Sequence, residues 1–253
     1  MPTAVEFMRQ YRDLKVKIVV DDPVNRQCRE ETVSVELKKY FMMSWKEGTE
    51  ELKDFNDVTS GGKKSDFYKT NKLRILAAAM GKGAPQDYQL ALEWAVLSGK
   101  VKNPTKASLQ TYMDEHMGID CSGFVTNYLC AIGKKTYSYN LVGNTSAASY
   151  FNAANAVNDS TQVRQNDLLV WMSGNSVMTS PGHVAVVDWY TPQCLPGGNM
   201  RVVEAAGASG ANPKLLDSMY TVEQIIPKKG TVPMILVVKR HGQSGSRVAV
   251  IRV

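Results

Sequence analysis

At 253 residues, with 43% hydrophobic and 21% charged side chains, the chain has ordinary globular composition. It can bury a large core as one domain or one and a half, and no apolar stretch approaches the roughly twenty residues of a membrane helix. The formal net charge of +6 would attract any acidic polymer, nucleic acid included, and therefore singles out no partner.

The opening run Met1-Pro2-Thr3-Ala4-Val5-Glu6-Phe7-Met8-Arg9 has neither a positive leader nor an uninterrupted apolar segment, so no secretory signal is expected. Lys15-Val16-Lys17-Ile18-Val19-Val20 predicts a short strand ended by Asp21-Asp22-Pro23. Val35 to Trp45 is apolar-rich, with a period that does not settle helix against strand. Ser60-Gly61-Gly62-Lys63-Lys64 lacks the pattern of a phosphate-binding loop and reads as a flexible linker. Asp66 to Met80 predicts a helix closed by Gly81. Pro85 to Ser98 predicts another, with proline in the first turn, Gly99 beyond the end, and Leu90, Trp94 and Leu97 as an apolar stripe. A third helix over Thr105 to Met117 leads into the run that follows it. The alanine- and asparagine-rich stretch 145–157 suggests a further helix. From 167 onward the pattern is strand-like, with turns at Pro196-Gly197-Gly198 and Gly242 to Gly245. Helices followed by antiparallel strands make an α+β pattern, and there is no internal repeat.

The most informative residue is Cys121, in Gly118-Ile119-Asp120-Cys121-Ser122-Gly123-Phe124-Val125. Phe124, Val125, Tyr128, Leu129 and Ile132 recur at helical spacing before Gly133, which places the thiol in the first turn of a buried helix. Unpaired N–H groups and the positive end of the macrodipole favour a thiolate there, and the thiolate is the nucleophile. A base must come from three histidines. His116 and His241 read as surface residues, whereas His183 opens the β-branched run Val184-Ala185-Val186-Val187, fixed yet reachable from solvent. Alternation puts His183, Ala185 and Val187 on one face and Asp188 on the other, so Asp188 is poorly placed to orient the imidazole. Glu204 sits inside the apolar run Met200 to Ala206, where a carboxylate is costly to bury unless paired. The constellation is therefore Cys121, His183 and Glu204. Cys28, Cys130 and Cys194 read as structural cysteines, and Asp120 and Asp167 as residues that satisfy turn amides. No paired Cys or His spacing supports a metal site, and no cofactor motif is present.

The three runs Asp120-Cys121-Ser122-Gly123-Phe124-Val125, Asn166-Asp167-Leu168-Leu169-Val170-Trp171 and Gly182-His183-Val184-Ala185-Val186-Val187 resemble, in order and character, those of the NlpC-type cell-wall cysteine peptidases. The resemblance covers about residues 105–253. It implies an α+β papain-like fold, with the cysteine-bearing helix packed on a small antiparallel sheet; residues 1–104 lie outside it and read from their own pattern as an extension, mixed then helical and mostly helical as a whole. It also implies hydrolysis of amide bonds in peptidoglycan stem peptides, with Cys121 as nucleophile, His183 as base and Glu204 in the third polar position. Tyr112, nine residues before the cysteine, stands nearest to the family's oxyanion tyrosine. Ser122 is a further candidate for substrate contact, and the Cys121 amide remains an oxyanion donor. Asn166 replaces the usual turn glycine, which asparagine tolerates because it enters the left-handed region readily.

A wall substrate without a leader implies synthesis in the cytoplasm and delivery by lysis or a secretion machine, with an immunity or inhibitor protein as a possible partner. No nucleic-acid partner is expected. Two other functions fit the same residues. One is a deamidase or acyltransferase of the same fold acting on a protein, and the other a non-catalytic wall-binding module.

Overall fold

The computed structural model describes residues 1–22, 27–40, 55, 66–192, 197–207, 214–240 and 243–253. Helix α1 (Ala4–Tyr11) is opened by a capping box in which Thr3 accepts from the Glu6 amide and Glu6 accepts from the Thr3 amide. The antiparallel hairpin β1 (Leu14–Asp22) and β2 (Gln27–Val35) follows. Next come helices α2 (Asp66–Ala79), α3 (Pro85–Leu97), α4 (Lys106–His116), α5 (Cys121–Ala131) and α6 (Tyr139–Asn144). The chain ends in strands β3 (Leu168–Ser173), β4 (Ser176–Val177), β5 (Val184–Thr191), β6 (Asn199–Ala206), β7 (Lys214–Ile226), β8 (Ile235–Arg240) and β9 (Ser246–Ile251). Among the described residues no helix is long and apolar enough to cross a membrane.

The strands overturn the expected papain-like α+β fold with its small sheet. They pair antiparallel in the order β3-β5-β6-β7-β8-β9, and β9 pairs back onto β3 from Leu168↔Ile251 to Trp171↔Val248. The result is a closed six-stranded barrel. Alternating apolar residues describe a strand with two different faces, and an open sheet and a barrel wall satisfy that pattern equally. Closure depends instead on twist. Register shifts at Val187/Trp189 in β5 and at Val222/Gln224 in the long β7 bend the wall as β-bulges do. Leu169, Ala185, Val187, Val202, Val238 and Val250 fill the interior, while Leu168, Val186, Val203, Ile235 and Ile251 face outward into the helical core.

Among its described residues the N-terminal region is mixed and then helical, with α1 and the β1–β2 hairpin before α2 and α3. It is not packed separately. Phe7 lies 5.9 Å from the ring of Phe124 and 5.7 Å from that of Tyr128, both on α5. The Tyr11 hydroxyl donates to the Gly83 carbonyl at 3.0 Å, and Arg12 donates to the Leu215 carbonyl on β7 at 2.7 Å. One continuous apolar cluster joins these residues to α5 and the outer barrel wall. Each aromatic pair adds about 0.5–1.5 kcal/mol to the area it buries.

The predicted strand at 15–20 and the helices over 66–80, 85–98 and 105–117 form nearly as read. Gly81, Gly99 and Gly133 adopt positive φ just after α2, α3 and α5. In α3 the buried side runs through Tyr88, Ala91, Leu92 and Ala95 with Trp94, whereas Leu97 is 62% exposed. The helix expected over 145–157 is absent. Short 3-10 turns at Ala148–Tyr150 and Ala153–Asn155 take its place. The Asn152 side chain accepts from the Ala154 amide, and Ser146 accepts from Ser149, so polar side chains take the amides a helix would use. The expected linker at 60–64, and Met42 to Trp45, Cys194, Pro196, His241 and Gly242, lie outside the described residues.

Helix α5 is seated by backbone contact. Its N-cap, Asp120, accepts from the Gly123 amide at 2.5 Å and donates its own amide to the Gly81 carbonyl at 2.9 Å. A Cβ on Gly123 would stand 2.6 Å from that carbonyl oxygen and 2.9 Å from the Lys82 Cα, so only glycine lets the 81–83 turn approach. Gly123→Ala is therefore expected to lower stability by about 1–3 kcal/mol, read as a fall in the midpoint of thermal unfolding. An unchanged midpoint would show that the turn can retreat.

Candidate active site

Cys121 is the first residue of α5 and 4% exposed. The Tyr40 hydroxyl donates to its Sγ at 3.8 Å. Tyr40 arrives from the segment after β2, held by the Ile119 amide donating to the Lys39 carbonyl at 3.0 Å and by a parallel bridge to Ile119. Its ring packs so closely on Gly207, just past β6, that a Cβ there would stand 2.6 Å from the ring. Burial, then the negative charges of Cys121 and Asp120, push the Tyr40 phenol well above its ordinary range, against a hydrogen bond from the Cys121 amide. A protonated hydroxyl thus shares one corner with the thiol and the amide.

His183 lies immediately before β5, on the same alternation as the interior residues Ala185 and Val187. Its Nε2 is 2.8 Å from Glu204 Oε2, and the Cys121 side chain is near enough to influence the imidazole's titration. With Nε2 on the carboxylate, Nδ1 is the nitrogen left for the thiol. Trp171 meets the imidazole edge-on, ring centroids 4.4 Å apart, and its amide donates to the His183 carbonyl at 3.1 Å. Glu204 is 1% exposed, and its second oxygen accepts from the Tyr220 hydroxyl at 2.9 Å and from Arg240 at 3.0 Å. Trp171, His183, Glu204 and Tyr220 therefore gather at one end of the barrel interior, with Arg240 beside Tyr220 across β7 and β8.

The charges follow from these contacts. Burial alone would push the His183 imidazole down, but hydrogen bonds to Cys121 and Glu204 and the negative charge of both lift it from 6.5 to about 10. Burial opposes ionisation of Glu204 too, yet His183, Arg240 and Tyr220 hold its carboxyl below the usual range. An imidazole fixed by an ionised carboxylate beside a thiol is the arrangement that a cysteine nucleophile with an oriented base requires.

The sequence candidates Cys121, His183 and Glu204 come together. Tyr112 lies tilted against His116 with centroids 4.5 Å apart and meets Phe55 at 6.5 Å, while the phenol beside the thiol belongs to Tyr40. The Ser122 hydroxyl is buried, accepting from Lys82 and donating to Asp120 at 3.1 Å. Asp188 sits at the β5 bulge and faces Arg201 at 3.8 Å, away from the imidazole. Asp167 accepts from the Arg164 amide and from Arg252, and Asn166 has φ of 74°. Cys28 is exposed rather than structural, and Cys130 is half-buried. Among the described residues, no group of three or more His, Cys, Asp or Glu side chains is arranged to hold a metal ion.

Sequence reasoning missed Tyr40, Lys82, Tyr220 and Arg240. Tyr220 and Arg240 carry a signal in hindsight, because a carboxylate inside an apolar strand demands more donors than one imidazole. Tyr40 carries none, since its partner lies 81 residues away.

The chain matches no family model, no curated protein and no solved structure. Its chemistry is therefore read from its own residues.

Folding raises the His183 value, so this group's contribution to stability is fully present below pH 6.5 and is lost as pH rises toward about 10. Folding lowers the Glu204 value, so that contribution is present above the ordinary carboxylate range and is lost as pH falls through the lowered folded value. Cys121→Ala removes two of the influences that lift the imidazole. Its protonation midpoint, followed by NMR of the ring protons, should fall below that of the wild type. An unchanged midpoint would mean that thiol and imidazole do not interact.

Proposed function

We propose that this chain is a cysteine hydrolase that cleaves amide bonds in peptidoglycan stem peptides through an acyl-enzyme. The observation that carries the chemistry is the His183 imidazole, held by Glu204 at 2.8 Å on Nε2 and raised in its titration by both Glu204 and the Cys121 side chain. The substrate rests on the resemblance of the three sequence motifs to NlpC-type wall peptidases.

In this reading the Cys121 thiolate attacks the scissile carbonyl carbon, and the electron pair of the C=O bond moves onto oxygen. The Cys121 amide and the Tyr40 hydroxyl are the donors nearest to the charge that develops. His183 gives its proton to the departing amine as the C–N bond breaks, leaving a thioester on Sγ. The neutral imidazole then takes a proton from water, whose oxygen attacks the thioester. Collapse frees the carboxylic acid and restores the thiolate–imidazolium pair. Glu204 stays ionised throughout. It fixes the ring's orientation and stabilises its positive charge.

Purified sacculi incubated with the wild type should release soluble peptide fragments, identified by mass analysis, while Cys121→Ala releases none. Equal release by both proteins would overturn the nucleophile assignment. No release from sacculi, with deamidation of protein glutamines, would move the function to a protein substrate.

Glu204→Gln keeps the shape but gives up the charge, and in the serine template the equivalent change costs about 10⁴-fold in kcat. A loss approaching that size is expected here with the fold intact by circular dichroism, and an unchanged rate would remove Glu204 from the machinery. Tyr40→Phe should lower kcat by about 10²–10³-fold, as loss of one oxyanion donor does, with KM little changed. A rise in KM alone would make Tyr40 a substrate-binding residue instead.

A further inference from the structure

We propose that Lys82 is a positioning residue for the nucleophile, cancelling the charge of Asp120 beside Cys121 while holding the first turn of α5. The inference rests on Cys121 being the nucleophile, though not on any particular substrate.

Lys82 lies between Gly81 and Gly83 in the turn after α2, and it is 5% exposed. Its ammonium is 2.7 Å from Asp120 Oδ2, donates to the Thr145 carbonyl at 3.0 Å, and donates to the Ser122 hydroxyl. Three acceptors use all three of its protons. Two of them belong to the residues on either side of Cys121. Its backbone is tied down as well, since the Lys82 amide donates to the Ala77 carbonyl at 2.9 Å and its carbonyl accepts from Asn127 of α5 at 2.7 Å.

A helix cap does not need this arrangement. Asp120 Oδ1 already accepts from the Gly123 amide, and a neutral asparagine or serine side chain caps about as well. Burying an ammonium is expensive, and a buried ion pair adds little stability over an apolar replacement of the same volume. Its specific consequence here is electrostatic. A carboxylate next to a cysteine disfavours the thiolate, and an uncompensated charge within about 4–6 Å moves a neighbour's titration by about 1–3 units. Lys82 allows Asp120 to cap the helix without that penalty falling on Cys121. It also holds the Ser122 hydroxyl, so both residues flanking Cys121 are tied to the 81–83 turn.

The test is a cycle read by the rate of iodoacetamide alkylation of Cys121, which needs no substrate, with folding checked by circular dichroism. Lys82→Met strands the Asp120 charge and should slow alkylation near neutral pH by about tenfold or more. The double variant Lys82→Met/Asp120→Asn removes both charges and keeps the cap acceptor, so its rate should return to within about threefold of the wild type. Asp120→Asn alone leaves the ammonium unopposed and should alkylate at least as fast as the wild type. That variant decides the matter if Lys82→Met does not fold. A Lys82→Met rate equal to the wild type, a double variant as slow as Lys82→Met, or slowed alkylation in Asp120→Asn would each overturn the inference. Failure of all these proteins on sacculi, with the alkylation pattern intact, would overturn the proposed substrate and leave the role of Lys82 standing.

Discussion

A carboxylate buried inside a β-barrel is tolerable only if every oxygen is met by a donor, and Glu204 imposes that condition on its surroundings. One oxygen takes His183, and the other takes Tyr220 and Arg240. Those partners come from β5, β7 and β8 and its approaches, so the strands must be brought round into one wall before the charge is satisfied. They stand side by side in the order β5-β6-β7-β8, with Tyr220 paired to Arg240. The same condition bears on the state of the imidazole, because an ionised Glu204 favours the protonated ring of His183.

The other half of the site is organised by close approach between backbones. Gly123 admits the 81–83 turn against α5, and Gly207 admits the Tyr40 ring against the end of β6. Neither glycine does chemistry. Each lets a polar group from a distant part of the chain stand within reach of Cys121, Lys82 in one case and Tyr40 in the other. Residues that look like a preceding module in sequence therefore supply two of the groups surrounding the thiol.

The legible part of this protein is the part encoded locally. Helical spacing after Cys121, a stop at Gly133, and alternation through His183, Ala185 and Val187 are all short-range signals, and they placed the thiol, the imidazole and the carboxylate in register. Alternation also separated Glu204 from Asp188 correctly, since Asp188 faces Arg201. The closed barrel was not legible, because alternation is blind to whether the last strand returns to the first. Tyr40 was hidden by distance along the chain, and Tyr112 stood in for it on spacing alone. Lys82 was hidden by its type, since a lysine between two glycines reads as a solvated turn.

The bridge between Tyr40 and Ile119 and the pairing of β3 with β9 are both contacts of long sequence separation. Such contacts form late and together, because each must first overcome the entropy of closing a long loop. The surroundings of the thiol, its phenol neighbour included, are therefore a property of the whole fold rather than of α5 alone.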